Sequence, residues 1–252
     1  MVTNMLRREL LPSPLMSAPW VKASVFRRDW LHCSDQGVAA DFGGNLCSLL
    51  ASKMPGANVQ VRTQELWEEI QRSYGAAGVP IRNQLNTLTP TMIQQQGKKP
   101  KLRANATEMR NLVPILHQLS QQFLDDANPI EAAAKTAAWH LNECYKALAD
   151  DVIFYHASLT EHSTAFALQM VALADVHENT RLWQLKPKLH QWLELCAEGA
   201  KPAKCWTYRD EDFGGSCARM AHRRGCKISA KAVSHNLLEN FRMKQPMIIV
   251  RW

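Results

Sequence analysis

No apolar run in this chain approaches the roughly 20 residues that a membrane-spanning helix requires, and nothing at the N-terminus resembles a secretory signal, so no membrane partner is expected. Paired cysteine spacing is missing as well. The seven cysteines (Cys33, Cys47, Cys144, Cys196, Cys205, Cys217, Cys226) are odd in number and dispersed, which argues against a disulfide framework and reads as reduced thiols in an intracellular protein. Cys217, His222 and Cys226 come closest to a zinc set but lack the tight Cys-x2-Cys spacing such sites use. Gly214-Gly215-Ser216 has neither the lysine nor the spacing of a P-loop. There is no internal repeat and no strand–helix alternation, which leaves a mainly α fold.

What the chain does have is positive charge and tryptophan. Its 252 residues carry a net charge of +7. Between Arg219 and Lys244 seven Lys/Arg face a single acid, Glu239, so the excess is largely C-terminal and suits a polyanionic partner. The eight tryptophans are scattered along the chain, as core anchors would be, rather than gathered into one ligand cage.

Residues 1–22 hold three prolines and no sustained period, and read as a poorly ordered lead-in to a helical domain over 23–244 and a short tail over 245–252. Val38, Phe42, Leu46, Leu49 and Leu50 recur at helical spacing over 36–53, ahead of Pro55-Gly56. Thr63 is expected to cap a second helix carrying Leu66, Trp67, Ile70 and Tyr74. Residues 80–101 lack periodicity and read as an irregular connection with an exposed tip at Gln94–Lys99. A third helix is expected over 107–124, kinked or broken at Pro114. Asn128-Pro129-Ile130-Glu131 is the clearest helix start, combining a cap residue with proline at the first helical position, and should open a helix to Asp150. Ser158-x-x-Glu161 reads as a capping box opening a helix to Val176. Residues 183–190 suit a short strand or an extended entry into a helix through Cys196, with Pro187 arguing against one continuous helix. Two further helices are expected over 210–224 and 230–242.

Two clusters carry candidate chemistry. Asp29 and His32 are three residues apart, on one helical face or one side of a tight turn, close enough for the carboxylate to orient the imidazole. Asp210, Glu211 and Asp212 are hard oxygen donors just ahead of the basic stretch, yet three consecutive acids on a helix cannot all point at one metal pair. The same three acids also suit the first turn of a surface helix.

Four segments, in order, resemble the C-terminal part of CACTA-type cut-and-paste transposases, whose nuclease core is an RNase H-like fold with a helical insertion. They are Asp29-Trp30-Leu31-His32; Lys101-Leu102-Arg103-Ala104 with Leu112-Val113-Pro114; Lys188-Leu189-His190 with Leu193; and Trp206-x-Tyr208-x-x-Glu211. The resemblance implies Glu211 as the third metal-binding acid, with Mg or Mn as the ion of a complete site, and Asp29 with His32 as an accessory pair. It also implies two earlier aspartates, and the 28 residues ahead of Asp29 contain none. The expectation is therefore a truncated, catalytically incomplete transposase remnant, nuclear in a eukaryote, that retains non-specific DNA binding through Arg219, Arg223, Arg224, Lys227 and Lys231. Two alternatives stand beside it: a helical protein-interaction module, as a homo-oligomer or with another protein, and a metal-dependent phosphodiester-cleaving enzyme.

Overall fold

The computed structural model describes residues 28–149, 157–178 and 182–198, with Thr180, Thr207 and Gly215 as isolated positions. The chain divides into two compact units, 1–206 and 207–252, and the fold described here is that of the first. The helices expected over 210–224 and 230–242 lie outside the described residues. Among the described residues there is helix and no strand, in keeping with a mainly α domain.

A π-helix, Leu31–Val38, runs directly into α1, Ala39–Lys53, so the first helical rod begins five residues earlier than its apolar spacing suggests. The remaining elements are α2 Val59–Ala76, a 3-10 turn Ile81–Asn83, the single-turn α3 Pro90–Ile93, α4 Ala106–Phe123, α5 Pro129–Ala149, α6 Ala157–Val176 and α7 Pro187–Ala197. Helix α5 lies along α6 and α4; α1 touches α2, α4 and the π-helix; α7 closes the ring between the π-helix and α6.

Several helix ends follow from local chemistry. The Asn58 side chain accepts the Val61 N–H (3.0 Å) and caps α2, whereas Thr63 is buried inside that helix and does not cap it. A cap must precede the first turn with extended backbone, which Asn58 has and Thr63 lacks. Asn105 and Glu108 form a reciprocal capping box at the start of α4, and that helix runs through Pro114 without a break. Pro114 sits on its exposed face. Asn128 Oδ1 accepts the N–H groups of Ile130 (3.0 Å) and Glu131 (3.4 Å), with Pro129 in the first helical position. Ser158 lies one residue inside α6, and Pro187 opens α7 after an extended Lys186, so 184–186 is an irregular entry and not a strand.

The core is organised by an aromatic chain. Tyr145, Trp30, Trp192, Phe166, Phe42 and Trp183 meet in sequence with ring centroids 5.3 to 6.1 Å apart, joining α5, the entry to the π-helix, α7, α6, α1 and the 182–186 segment. Edge-to-face pairs of this kind add to the stabilisation from burial alone. Trp30, Trp67, Trp183 and Trp192 are buried, as core anchors should be, while Trp139 is 40% exposed.

Close approach of a loop to α1 requires Gly44. A Cβ there would stand 2.6 Å from Lys101 N and 2.8 Å from Leu102 N, both backbone atoms, and Leu102 N–H donates to the Ala40 carbonyl (2.8 Å) across the same interface. Alanine ordinarily gains up to about 1 kcal/mol over glycine inside a helix. Overpacking against a backbone costs about 1–3 kcal/mol, so Gly44→Ala is expected to destabilise the domain in urea unfolding; a stabilised variant would contradict the close packing of this loop.

Candidate anion-binding cleft

The loop that Gly44 admits is pinned at several points. Lys101 N–H donates to the Ile93 carbonyl (3.0 Å) and Arg103 N–H to that of Met92 (2.9 Å). Leu102 between them is buried, so Lys101 and Arg103 are left on the outer side. A turn at Gln95–Lys98, with Gly97 at φ 70° and the Gln94 side-chain amide donating to the Lys98 carbonyl (2.8 Å), carries Lys98 and Lys99.

The opposite wall comes from the segment before α7. Asn45 Oδ1 accepts the Trp183 N–H (2.9 Å), and Trp183 holds a positive φ of 50°, unusual for a bulky residue, as the chain turns into the core. One helical turn earlier on α1, Asp41 pairs with Lys186 Nζ (2.6 Å). These grips set Lys186 and Lys188 over the N-terminal half of α1. Lys188 lies across Gly37, where a Cβ would come within 3.0 Å of its Cδ.

Between the two walls is a cleft of about 940 Å³. Its lining includes Lys98, Lys99, Lys101, Arg103, Lys186 and Lys188 and no acidic residue. Two of the ammonium groups are held by the same π-helix: Lys101 Nζ donates to the Gln36 carbonyl (2.8 Å) and Lys188 Nζ to that of His32 (3.0 Å). Burial lowers the Lys101 pKa from its ordinary value; Lys188 and Lys186 add repulsion, and Asp41 works against both. Cations crowded in one concavity focus a positive field and attract anions.

Asp29 and His32 do meet. Asp29 Oδ2 accepts the His32 backbone N–H (3.1 Å) and lies 2.5 Å from His32 Nδ1, and the imidazole is half exposed. Of the four segments singled out in the sequence, Lys188 from the third touches the His32 carbonyl of the first and lines the cleft together with Lys101 of the second. The fourth lies outside the described residues, as do Glu211, Arg219, Arg223, Arg224, Lys227 and Lys231 and the zinc candidates Cys217, His222 and Cys226.

The π-helix also carries a buried acid. Asp35 is fully buried; Tyr145 OH donates to its Oδ1, and Ser34 Oγ lies 3.2 Å from the same hydroxyl. Burial raises its carboxyl to about 7, against the Tyr145 hydrogen bond, the Arg110 charge and the neighbouring Trp30 indole N–H. Elsewhere, His140 and His162 bring their Nδ1 atoms within 3.1 Å beside Trp139. Among the described residues no three His, Cys, Asp or Glu side chains are grouped to hold a metal. Burial raises every described thiol, Cys47 and Cys196 to about 12, which leaves none poised as a nucleophile. No helix among the described residues is long and apolar enough to cross a membrane.

The cleft is assembled from two short sequence signals, Lys98-Lys99-Pro100-Lys101-x-Arg103 and Lys186-Pro187-Lys188, that look unremarkable alone. Nothing in either run announces that they face one another; the small residues Gly37, Ala40 and Gly44, all on one side of the first helical rod, are the trace of their approach. Comparison of the chain with family models, with curated proteins and with solved structures returns no match.

Proposed function

We propose that this chain is a helical nucleic-acid-binding protein of transposase descent, which grips the phosphate backbone of DNA in the cleft between Lys98–Arg103 and Lys186–Lys188. The single observation behind it is the lining of that cleft, six cations and no acid. Neutralising phosphates in this way releases counterions, so binding is salt-sensitive and largely indifferent to sequence. The descent rests on the order of the four sequence segments, of which the third touches the first at Lys188–His32. Arg219, Arg223, Arg224, Lys227 and Lys231 add further cations for phosphate in this reading, and a DNA partner sets its work in the nucleus of a eukaryote.

A salt titration of DNA affinity tests it. Changing the loop cations Lys98, Lys99 and Arg103 to glutamine is expected to weaken binding at every sequence and to make the salt slope shallower by about 3, roughly 1 for each phosphate that is no longer neutralised. Binding that is unchanged by these substitutions, and abolished only when Arg219 to Lys231 are neutralised, would remove the cleft from the function.

A protein-interaction role has its own observation. Leu168 (64% exposed) and Val171 (40%) on α6 are apolar and open to solvent, and Trp139 on α5 is exposed as well. A protein partner captured equally well after nuclease treatment would favour this second reading.

A further inference from the structure

The wall of the basic cleft is shared. Gln95 and Gly97, at the turn before Lys98, also line a second cavity of about 420 Å³ between α1, α2 and α3. Its chemistry is different. One cation, Arg62, stands among uncharged polar side chains, Gln94, Gln95, Gln96 and Thr63, with Ile93 as an apolar wall and no acid anywhere in the lining. The buried Thr63 hydroxyl has no hydrogen-bond partner.

A phosphate calls for several cations, and a lipid chain for walls without amides; this cavity offers neither. A nucleobase offers an apolar face and an edge of donors and acceptors, which amides, hydroxyls and a guanidinium can match. In a nucleotide only the sugar separates base from phosphate, so a base pocket must adjoin the phosphate site. The Gln95–Gly97 turn is that boundary here.

We infer that the second cavity receives an unpaired base of a strand whose phosphates lie in the basic cleft, so that the preferred ligand is single-stranded nucleic acid. This rests on the cleft reading and adds the ligand's form to it. With Lys186 paired to Asp41, the five other cations of the cleft still exceed what one free nucleotide would need, which favours a strand.

The test uses the full chain and fluorescence anisotropy with two oligomers of equal length and charge, oligothymidylate and its abasic counterpart. The base-bearing strand is expected to bind about tenfold tighter, the scale of one or two hydrogen bonds to the edge of a seated base. Ser52→Phe, which fills the pocket from α1, is expected to bring it down to the abasic level, with circular dichroism confirming the fold. Arg62→Gln is expected to move affinity the same way by a smaller factor.

Equal affinity for the two oligomers, with binding still weakened by the Lys98, Lys99 and Arg103 substitutions, would overturn the base pocket and leave the cleft standing. Loss of that dependence, or no binding of either oligomer, would overturn both. Displacement of the strand by equimolar thymidine triphosphate would identify a free nucleotide as the ligand instead.

Discussion

Asp35→Asn is expected to flatten a fall in stability that the native protein should undergo between about pH 4 and pH 7. The Asp35 carboxyl is fully buried and titrates near 7 in the folded chain, while in the unfolded chain it returns to its ordinary value of 3.8. Between those values the folded state holds a proton that the unfolded state has released. Stability from this group is therefore fully present below the ordinary carboxyl value and is lost as the pH rises through about 7. At about 1.4 kcal/mol for each pH unit, with the slope fading as the folded-state carboxyl ionises near 7, the change from pH 5 to pH 7 amounts to about 2 kcal/mol. Asparagine keeps an oxygen to accept the Tyr145 hydroxyl and cannot ionise. Urea unfolding of both proteins across this range should give curves that diverge, the native protein losing ground as the pH rises from about 4 to 7; parallel curves would show that Asp35 does not hold a proton in the fold.

Removing the Trp192 ring should cost more than any other single truncation in α7. Its indole is fully buried against Trp30 (6.1 Å) and Phe166 (5.4 Å), at the centre of the aromatic chain. Trp192→Ala removes the transfer energy of the ring and leaves a cavity, together about 3–5 kcal/mol. The indole N–H makes no hydrogen bond, so Trp192→Phe gives up no polar interaction and relieves one unsatisfied donor. The phenylalanine variant is expected to lose less than about 2 kcal/mol, the scale of a conservative core swap. Because α7 carries Lys188, the alanine variant should also weaken DNA binding, whereas the phenylalanine variant should not. Equal losses for the two would show that the N–H, rather than the ring's volume, matters here.

The helices are legible in the sequence because their apolar positions follow a strong period and their ends carry capping chemistry, as at Asn128-Pro129. Thr63 misleads because a threonine before an apolar run looks like a cap, although Asn58 five residues earlier does the capping. The π-helix gives no such signal because half of its buried positions are Ser34, Asp35 and Gly37 rather than large apolar residues, yet it supplies both carbonyls that hold cleft lysines and a buried acid. The Asp29–His32 pairing is readable from three-residue spacing. The cleft is not, since residues 98–103 and 186–188 are brought together only by tertiary packing on Ala40, Asp41, Gly44 and Asn45. A charge run in a loop and a Lys-Pro-Lys at a helix start carry no local signal that they are neighbours.

The most direct measurement is lysine footprinting by acetylation and mass spectrometry, with and without a saturating DNA oligomer. Binding in the cleft predicts protection of Lys98, Lys99, Lys186 and Lys188, with Lys146 on α5 as reactive as before. Protection confined to Lys227 and Lys231, or found nowhere, would contradict a phosphate-binding role for the cleft.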